Sequence, residues 1–320
     1  MSIMITGGTG FLGSYLARHL LLEKGVEDVV LFDRYPDPRK LQGIEDRVSV
    51  VEGDVLEPQE LLAALDRHRV ERVVHLAFGV GGPEPEKIVP YARVQTMGTA
   101  NVFETARLHG IVRVVNASSL AVYGPHESTS LHEDDPKRPD SLYGACKLWS
   151  EHLADVYNDE HGMEIVSLRP CSVFGLGRAW RGSFASGLVH VRDLPHYMAL
   201  TELAVRGEPI TMPPGSQLAD WCYAADAAEA WWLAVMAVNP PHRAYNMRAE
   251  QRPIGDYTAE LRRLLPDARI EVSERPAHVG QLMDNTLIRE ELGFAPRYTI
   301  ETGLADYIER IRSAPDVTGR

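Results

Sequence analysis

The first half of the chain alternates short apolar runs with longer amphipathic stretches. The apolar runs have strand length and read "SIMIT", "DVVLFD", "VSVVEG", "RVVHLA", "VRVVNAS" and "EIVSLRP". Helix-length patterns separate them, including Phe11 to Leu22, "ELLAALDRH", Val94 to Gly110 and Tyr143 to His161. Apolar strands that alternate with helices indicate a parallel sheet covered on both faces. The predicted fold class is therefore α/β, with a doubly wound parallel sheet.

The pattern changes after Pro170, where segments rich in Gly, Pro and Ser replace the regular alternation. Shorter strand and helix signals follow, such as "AYNMRA" and "YTAELRRLL". We therefore predict a first domain over residues 1–169 and a smaller C-terminal substrate lobe over residues 170–320. Residues 221–248 are expected to return to the first domain.

Charge and composition narrow the possible partners. The chain has 33 basic and 45 acidic residues and a formal charge of −12, with no basic block that could bind the nucleic-acid backbone. The apolar run Ala230 to Val238 is shorter than the ~20 residues that a bilayer requires. The sequence thus predicts no nucleic-acid partner and no membrane association.

The number and spacing of the cysteines and histidines indicate whether the protein forms disulfides, binds a metal or resides in a reducing compartment. The three cysteines, Cys146, Cys171 and Cys222, have no CxxC spacing, so a disulfide framework and a zinc site are not indicated. His126 and His132 lie near acidic residues, but their spacing suits no recognised metal set. We expect a cytoplasmic protein without a metal.

A glycine-rich turn separates the first predicted strand from the first predicted helix. Gly7, Gly10 and Gly13 are spaced three residues apart in "TGGTGFLG". Such glycines permit a tight turn, let the backbone approach a pyrophosphate and let the helix pack on the strand. Asp33 ends the next strand, where a carboxylate would accept hydrogen bonds from ribose hydroxyls and repel a 2′-phosphate. The pattern favours NAD over NADP, although the adjacent Arg34 could pair with a 2′-phosphate.

Candidate acid–base residues follow the fifth predicted strand. Ser118 and Ser119 end that strand, and Tyr143 and Lys147 lie one turn apart on the next helix. Ligands of open parallel sheets bind at the carboxyl ends of strands. Hydride transfer at an alcohol carbon also moves the hydroxyl proton, which Tyr143 could carry while Lys147 favours the tyrosinate. Ser119 would hydrogen-bond the substrate oxygen.

These motifs together resemble one enzyme family. The matching segments include "TGGTGFLG", "GDVLE", "VVHLAF", "GTANVFETAR", "NASSLAVYG", "SLYGACK", "LRPCSVFG" and "YAADAAEA". The chain resembles the extended short-chain dehydrogenase/reductases, the NAD-dependent epimerase/dehydratase group. The resemblance implies a Rossmann-type fold and catalytic roles for Ser119, Tyr143 and Lys147. The residues expected to bind NAD are Gly7, Gly10, Phe11, Leu12, Gly13, Asp33, Arg34, Asp54, Val55, Leu76, Ala77, Gln95, Ser118, Tyr143, Lys147 and Pro170.

The match is looser in the expected substrate region. Phe78 stands where a small residue is common and would narrow the space near the nicotinamide, and Ser172 replaces a usual Asn. One diphosphate-binding Arg of the family is Ala219 here, whereas Arg275 matches the second. The candidate substrate-binding residues are Phe78, Ser119, Ser172, Arg178 and Arg275, with Trp180 and Arg181 on the same segment as Arg178.

Three functions remain open on this basis. The first is a nucleotide-sugar epimerase that uses tightly bound NAD and Tyr143 as acid and base. The second is a net dehydrogenase or reductase of a non-nucleotide sugar or secondary alcohol. The third is a non-catalytic NAD-binding sensor, which the intact Ser119, Tyr143 and Lys147 argue against. The resemblance also implies a homodimer that packs the helices containing Gln95 to His109 and Tyr143 to His161.

Overall fold

A seven-stranded parallel sheet forms the centre of the molecule. The computed structural model describes residues 1–78, 85–126, 130–178, 198, 200–276 and 282–314, without the side chains of residues 85–87. The strands, numbered in chain order, are β1 (Ser2–Thr6), β2 (Asp28–Asp33), β3 (Ser49–Glu52), β4 (Arg72–His75), β5 (Arg113–Ala117), β6 (Glu164–Pro170) and β10 (Ala244–Met247). Their order is β10-β6-β5-β4-β1-β2-β3, and every neighbouring pair is parallel. The predicted Rossmann-type sheet is confirmed.

Helices cover both faces of this sheet. The helices α1 (Phe11–Leu22) and α7 (Ala224–Met236) pack together, while α2 (Pro58–Arg67), α4 (Thr99–Leu108) and α5 (Leu142–His161) form a second layer. Successive residues of a strand point to opposite faces. Accordingly, Ile3 and Ile5 join the apolar core that contains α1, and Met4 joins the core that contains α2. Apolar runs without alternation are thus explained by burial on both faces.

The segment from Val94 to Gly110 differs from its predicted single helix. The helix α3 (Pro85–Arg93) precedes a π-helical turn over Val94–Gly98, and α4 continues from there. The π-helical turn widens the helix locally, a feature often found at functional sites. Apolar periodicity does not encode such a turn, so the predicted long helix ending at Gly110 is observed with a π-helical turn that the sequence did not predict. None of the described helices is long and apolar enough to cross a membrane.

A smaller lobe is built mainly from the C-terminal part of the chain. Its sheets have the orders β11-β9-β7 and β12-β8. The remaining strands are β7 (Ser172–Phe174), β8 (Ile210–Met212), β9 (Leu218–Tyr223), β11 (Glu250–Pro253) and β12 (Ile270–Val272), and the remaining helices are α6 (Leu200–Val205), α8 (Ile254–Leu264), α9 (Thr286–Leu292) and α10 (Ile300–Ser313). Short 3₁₀ turns span Pro38–Leu41, Glu45–Arg47 and Leu120–Val122. The core that contains α1 continues into this lobe, so the two parts share one apolar core. The domain boundary at residue 169 stays a prediction.

Candidate active site

The turn between β1 and α1 leaves no space for side chains at its glycine positions. Gly7 has φ +68°, and a Cβ on it would lie 2.9 Å from the backbone of Ala77. A Cβ on Gly13 would lie 2.4 Å from the carbonyl oxygen of Gly7. Gly10 is the N-cap of α1 and makes no side-chain capping bond. The first N–H groups of α1, at Phe11 and Leu12, are therefore presented without a side-chain cap, as a pyrophosphate site requires.

The carboxylate of Asp33 is held at the end of β2. Its Oδ2 accepts hydrogen bonds from Thr9 Oγ1 at 2.8 Å and from the Thr9 backbone N–H at 3.1 Å. The Oδ1 atom accepts from the Tyr35 N–H at 3.2 Å. Arg34, whose side chain is half exposed, places Nη1 3.1 Å from Asp54 Oδ2. The guanidinium of Arg34 is thus paired with a carboxylate, which reduces its capacity to attract a 2′-phosphate.

A hydrogen-bond chain around buried His75 fixes the backbone beside the glycine turn. Thr99 Oγ1 donates to the Gln95 carbonyl at 2.7 Å, so it accepts from His75 Nε2 at 3.0 Å. His75 Nδ1 then accepts from Thr6 Oγ1 at 2.7 Å, and Thr6 Oγ1 accepts from the Ala77 N–H at 3.3 Å. Burial lowers the pKa of His75 to about 3, so the ring is neutral and its tautomer follows from these bonds. These hydrogen bonds connect the end of β4 to the π-helical turn.

The other predicted cofactor residues lie at or after the carboxyl ends of β3, β4 and β6 or in the π-helical turn. Leu76 and Ala77 follow β4 directly, next to β1 in the sheet. Val55 is buried, and its carbonyl accepts from Asn101 Nδ2 at 2.9 Å. Gln95 is buried in the π-helical turn, and Pro170 ends β6. β1 and β4 are where the strand order reverses, and ligands of doubly wound sheets bind at that position.

Tyr143 and Lys147 occupy the first turns of α5. Ser141 caps this helix, because its side chain accepts a hydrogen bond from the Gly144 N–H at 3.1 Å. Lys147 is buried, and its Nζ donates to the Ala117 carbonyl at 2.7 Å. The same Nζ lies 5.8 Å from the centre of the Tyr143 ring. The cap thus sets the start of α5 so that both side chains face the end of β5.

Two groups oppose the effect of burial on Tyr143. Burial raises the pKa of Tyr143, while a hydrogen bond with Ser119 and the positive charge of Arg178 lower it. Burial lowers the pKa of Lys147 to about 8, so this side chain stays mainly protonated at neutral pH. The structure therefore brings Ser119 to Tyr143 and adds Arg178 as a second cation near the phenol.

A buried polar network supports this site from behind, and the sequence reasoning missed it. Glu151 lies one turn beyond Lys147 and accepts from Arg169 Nε at 2.8 Å and Nη2 at 2.7 Å. The Ser118 hydroxyl also donates to Glu151, so this predicted cofactor residue is already engaged by a buried carboxylate. Arg169 Nη1 donates to the Tyr123 hydroxyl at 2.8 Å. The spacing of Tyr143, Lys147 and Glu151 at every fourth residue is the signal that could have identified Glu151.

Aromatic side chains border Tyr143 on its open side. The Phe78 ring lies 5.8 Å from the Tyr143 ring and 5.9 Å from the Tyr91 ring, both edge to face. Phe78 is 49% exposed, so it has room to contact a ligand. A large aromatic ring therefore stands next to the acid–base candidate.

The predicted substrate residues are more scattered. Ser172 is half-buried in β7, opposite Trp221 of β9. Arg275 is exposed beyond β12, and its backbone N–H donates to Ser273 Oγ at 2.9 Å. No contact among the described residues joins Arg275 to Tyr143. Ala219 is buried, and its cross-strand neighbour Arg252 is engaged by acidic side chains. Trp180 and Arg181 lie outside the described residues.

The described residues offer no resident metal site. Within them, no group of three or more His, Cys, Asp or Glu side chains could hold a metal ion. Cys146, Cys171 and Cys222 are free thiols, and all three are buried. Burial raises the pKa of the Cys171 thiol well above its usual value, which disfavours the thiolate that a nucleophile needs.

Known proteins match the chain over almost its whole length. The model of the NAD dependent epimerase/dehydratase family matches residues 3–247. The UDP-glucose 4-epimerase of Azospirillum brasilense is 30% identical over 92% of this chain and 87% of its own. The structure of Thermotoga maritima UDP-glucose 4-epimerase with UDP-glucose superposes with a TM-score of 0.82 at 22% identity, covering 98% of this chain and 99% of its own.

A second solved structure, the Thermus thermophilus UDP-glucose 4-epimerase complex with NAD, has a TM-score of 0.80 at 24% identity, covering 98% of this chain and 100% of its own. At these identities the structural matches establish the fold, and the family model establishes the class of protein. The predictions of an enzyme and of NAD as its cofactor are confirmed with the family. The chain belongs to the NAD dependent epimerase/dehydratase family.

Proposed function

We propose that this protein is a nucleotide-sugar epimerase that acts at a carbinol carbon and uses Tyr143 as acid and base. The observation that carries the proposal is the meeting of Ser119, Tyr143 and Lys147 at the end of β5, beside the glycine turn. The curated relative from Azospirillum brasilense is a UDP-glucose 4-epimerase. A UDP-hexose is therefore the substrate we favour.

The residues of the cleft fit an NAD molecule. The side-chain-free turn of Gly7, Gly10 and Gly13 would receive its pyrophosphate, and the fixed carboxylate of Asp33 would accept hydrogen bonds from its adenosine ribose. Lys147 would hold the nicotinamide ribose. NAD held by these residues would supply the hydride acceptor and donor that an epimerisation at a carbinol carbon requires.

The protein's own groups would manage the proton and the oxygen. Tyr143 would remove the hydroxyl proton as the carbinol is oxidised and return it as the carbinol is restored. The Ser119 hydroxyl, which lowers the pKa of Tyr143, would donate a hydrogen bond to the substrate oxygen. The charges of Lys147 and Arg178 would favour the tyrosinate. The contact of Phe78 with Tyr143 would exclude water from that side.

A net dehydrogenase of a non-nucleotide alcohol is the second candidate. One observation favours it, namely Ala219 in place of a diphosphate-binding Arg. A nucleotide sugar brings a diphosphate, which is best bound by Arg side chains. We assign five described residues to substrate binding, namely Phe78, Ser119, Ser172, Arg178 and Arg275. The two Arg side chains are the candidates for the diphosphate.

We further propose that the enzyme is a cytoplasmic homodimer. Apolar side chains of α5 and of the segment leading through α4 are exposed, among them Met97, Leu108, Trp149 and Val156. Packing these helices against their copies would cover this surface. The three free thiols fit a reducing compartment. Light scattering at micromolar concentration should give about twice the chain mass of 35.6 kDa, and a monomer mass would contradict the dimer.

Calorimetry with UDP, dTDP and GDP tests the substrate class. We expect UDP to bind in the presence of NAD, and UDP-glucose to be converted to its C4 epimer in a nuclear magnetic resonance assay. Binding that is millimolar or absent for all three nucleotides, with NAD binding intact, would favour the dehydrogenase instead.

A further inference from the structure

Tyr15 projects from the helix that begins at the glycine turn. It lies on α1 one helical turn after Phe11, whose ring is 5.9 Å from the Tyr15 ring, edge to face. Only 8% of Tyr15 is exposed. Its hydroxyl lies 3.3 Å from the hydroxyl of Tyr223, which belongs to β9 of the smaller lobe. The helix that would hold the pyrophosphate therefore also carries a hydroxyl that reaches the other lobe.

The hydrogen bonds of the Tyr15 hydroxyl have one consistent direction. The Tyr223 hydroxyl donates to the carboxylate of Asp306 on α10, so its oxygen is left to accept the Tyr15 proton. The Tyr15 oxygen in turn accepts the N–H of Leu176 at 3.0 Å. Asp306 also accepts from Arg310 Nε at 2.7 Å. Each hydroxyl of this series thus has both its donor and its acceptor role filled.

The turn after β7, residues 175–178, fits closely against this hydroxyl. Gly175 has φ +154°, and a Cβ there would lie 2.9 Å from Tyr15 Oη. A side chain at this position would therefore push the turn away from the hydroxyl. Gly177 has φ +92°, and its N–H donates to Glu202 Oε1 at 3.2 Å. Tyr15 thus anchors the turn on the side of α1, and Glu202 anchors it on the side of α6.

The same turn borders the proposed reaction centre. It follows β7, the strand of the candidate substrate residue Ser172. It ends at Arg178, whose guanidinium carbon is 5.6 Å from the centre of the Phe11 ring. The charge of Arg178 lowers the pKa of Tyr143, which places this end of the turn near the phenol. A shift of the turn would therefore change the space between the cofactor helix and Tyr143.

We propose that Tyr15 is a positioning residue for the reaction, because its hydroxyl fixes the turn after β7 on the helix that would hold the cofactor. The proposal rests on the function proposed above. Without this hydroxyl, the partly buried Leu176 N–H would lose its acceptor, and the turn would move to find another. A misplacement of ~1 Å far from the reacting atoms can lower a rate by about 10²-fold.

The test compares Y15F with Y223F in the full chain supplied with NAD. Both variants lose the bond between the two hydroxyls, and Y223F also loses its bond to Asp306, but only Y15F leaves the Leu176 N–H without its acceptor. In Y15F, kcat for UDP-glucose should fall by about tenfold, and by more than KM changes. Its NAD affinity in calorimetry should stay close to that of wild type. Y223F should keep a kcat close to wild type.

Hydrogen exchange of the Leu176 amide measures the anchoring itself. The amide should exchange slowly in wild type and in Y223F, because Tyr15 accepts its hydrogen bond. In Y15F it should exchange faster by about tenfold, as expected for one lost hydrogen bond. If Y15F does not fold, exchange in wild type and Y223F decides. A Leu176 amide that exchanges as fast as in an unfolded chain would then overturn the proposal.

The kinetic results can overturn it in three ways. An equal fall of kcat in Y15F and Y223F would assign the effect to the shared network instead of the turn. A near-normal kcat in Y15F would remove Tyr15 from the positioning of the reaction. NAD affinity weakened about tenfold or more in Y15F would place the effect on the cofactor.

Failure of the proposed function would appear differently, as wild type inactive on UDP-glucose. The same kinetic comparison is then made with galactose by following NADH formation. If galactose is not oxidised either, exchange of the Leu176 amide decides. Faster exchange in Y15F alone would keep Tyr15 as the anchor of the turn, and equal exchange in all three proteins would overturn it.

Discussion

The cofactor side and the substrate side of the cleft are built in different ways. On the cofactor side, backbone and buried polar groups hold key side chains in place, as in the bonds of Thr9 to Asp33 and of Lys147 to the Ala117 carbonyl. On the substrate side, Arg275 is exposed beyond β12, and Ala219 leaves a family position without its charge. Among the described residues of the substrate side, the turn over residues 175–178 is held by hydrogen bonds from the Leu176 N–H to Tyr15 and from the Gly177 N–H to Glu202.

This difference teaches which part of the function is common to the family and which part is particular to this chain. A dinucleotide has a constant shape, so it can be recognised by a turn and a sheet edge. Substrates vary, so their recognition depends on individual side chains placed by loops on a rigid scaffold. Substitutions on the cofactor side should therefore have large effects, and those at the exposed substrate positions small ones.

The largest effect is expected from Y143F. Loss of the phenol hydroxyl removes general acid–base catalysis, so turnover should fall by about 10²-fold or more while NAD still binds. Steady-state kinetics and NAD calorimetry measure the two properties separately. Y157F, on the same helix, is the matched control and should keep its turnover. A Y143F variant with near-normal turnover would remove Tyr143 from the mechanism.

E151A tests the buried network behind the cofactor side. It leaves the guanidinium of Arg169 buried without its carboxylate, which costs about 3–5 kcal/mol in free energy of unfolding. Urea denaturation of the wild type and the variant measures this cost. Asp159 lies on the same helix and forms an exposed ion pair with Arg243, so D159A removes a carboxylate without burying a charge and should stay close to wild type. Equal free energies of unfolding for E151A and D159A would show that the buried network stabilises the fold no more than an exposed ion pair does.

D33A should weaken NAD binding by about tenfold or more, as expected for lost hydrogen bonds to a carboxylate. NADP should be affected less, because the change also removes a charge that repels the 2′-phosphate. Titration of both nucleotides against wild type and variant gives the two ratios. Tighter binding of NADP than NAD by the wild type would show that Arg34 outweighs Asp33.

The smallest effect is expected on the substrate side, from R275M. Because Arg275 is exposed, the interaction of its charge with a diphosphate is weakened by solvent, and UDP affinity should fall by less than about tenfold. Calorimetry with UDP in the presence of NAD is the measurement. A loss of a hundredfold or more would mean that the turn after β12 moves onto the ligand, and the contrast between the two sides would then fail.

The same contrast explains what the sequence could predict. Short-range signals were sufficient for α1 and β2, whose bounds follow the apolar pattern, and for the turn of Gly7, Gly10 and Gly13. The bond between Thr6 and His75 was out of reach, because these residues meet only through the register of β1 and β4. Arg252 is likewise brought opposite Ala219 by strand pairing. Local spacing does not fix such register, nor the π-helical turn that holds Gln95.

The central claim is that hydrogen leaves the carbinol carbon and returns to that carbon on the enzyme. The most direct measurement is the reaction of UDP-glucose with NAD-loaded protein in D₂O, followed by nuclear magnetic resonance and by absorbance of NADH. The account predicts a C4 epimer that keeps protium at C4, with no net NADH. Deuterium at C4, or NADH formed in proportion to product, would contradict it.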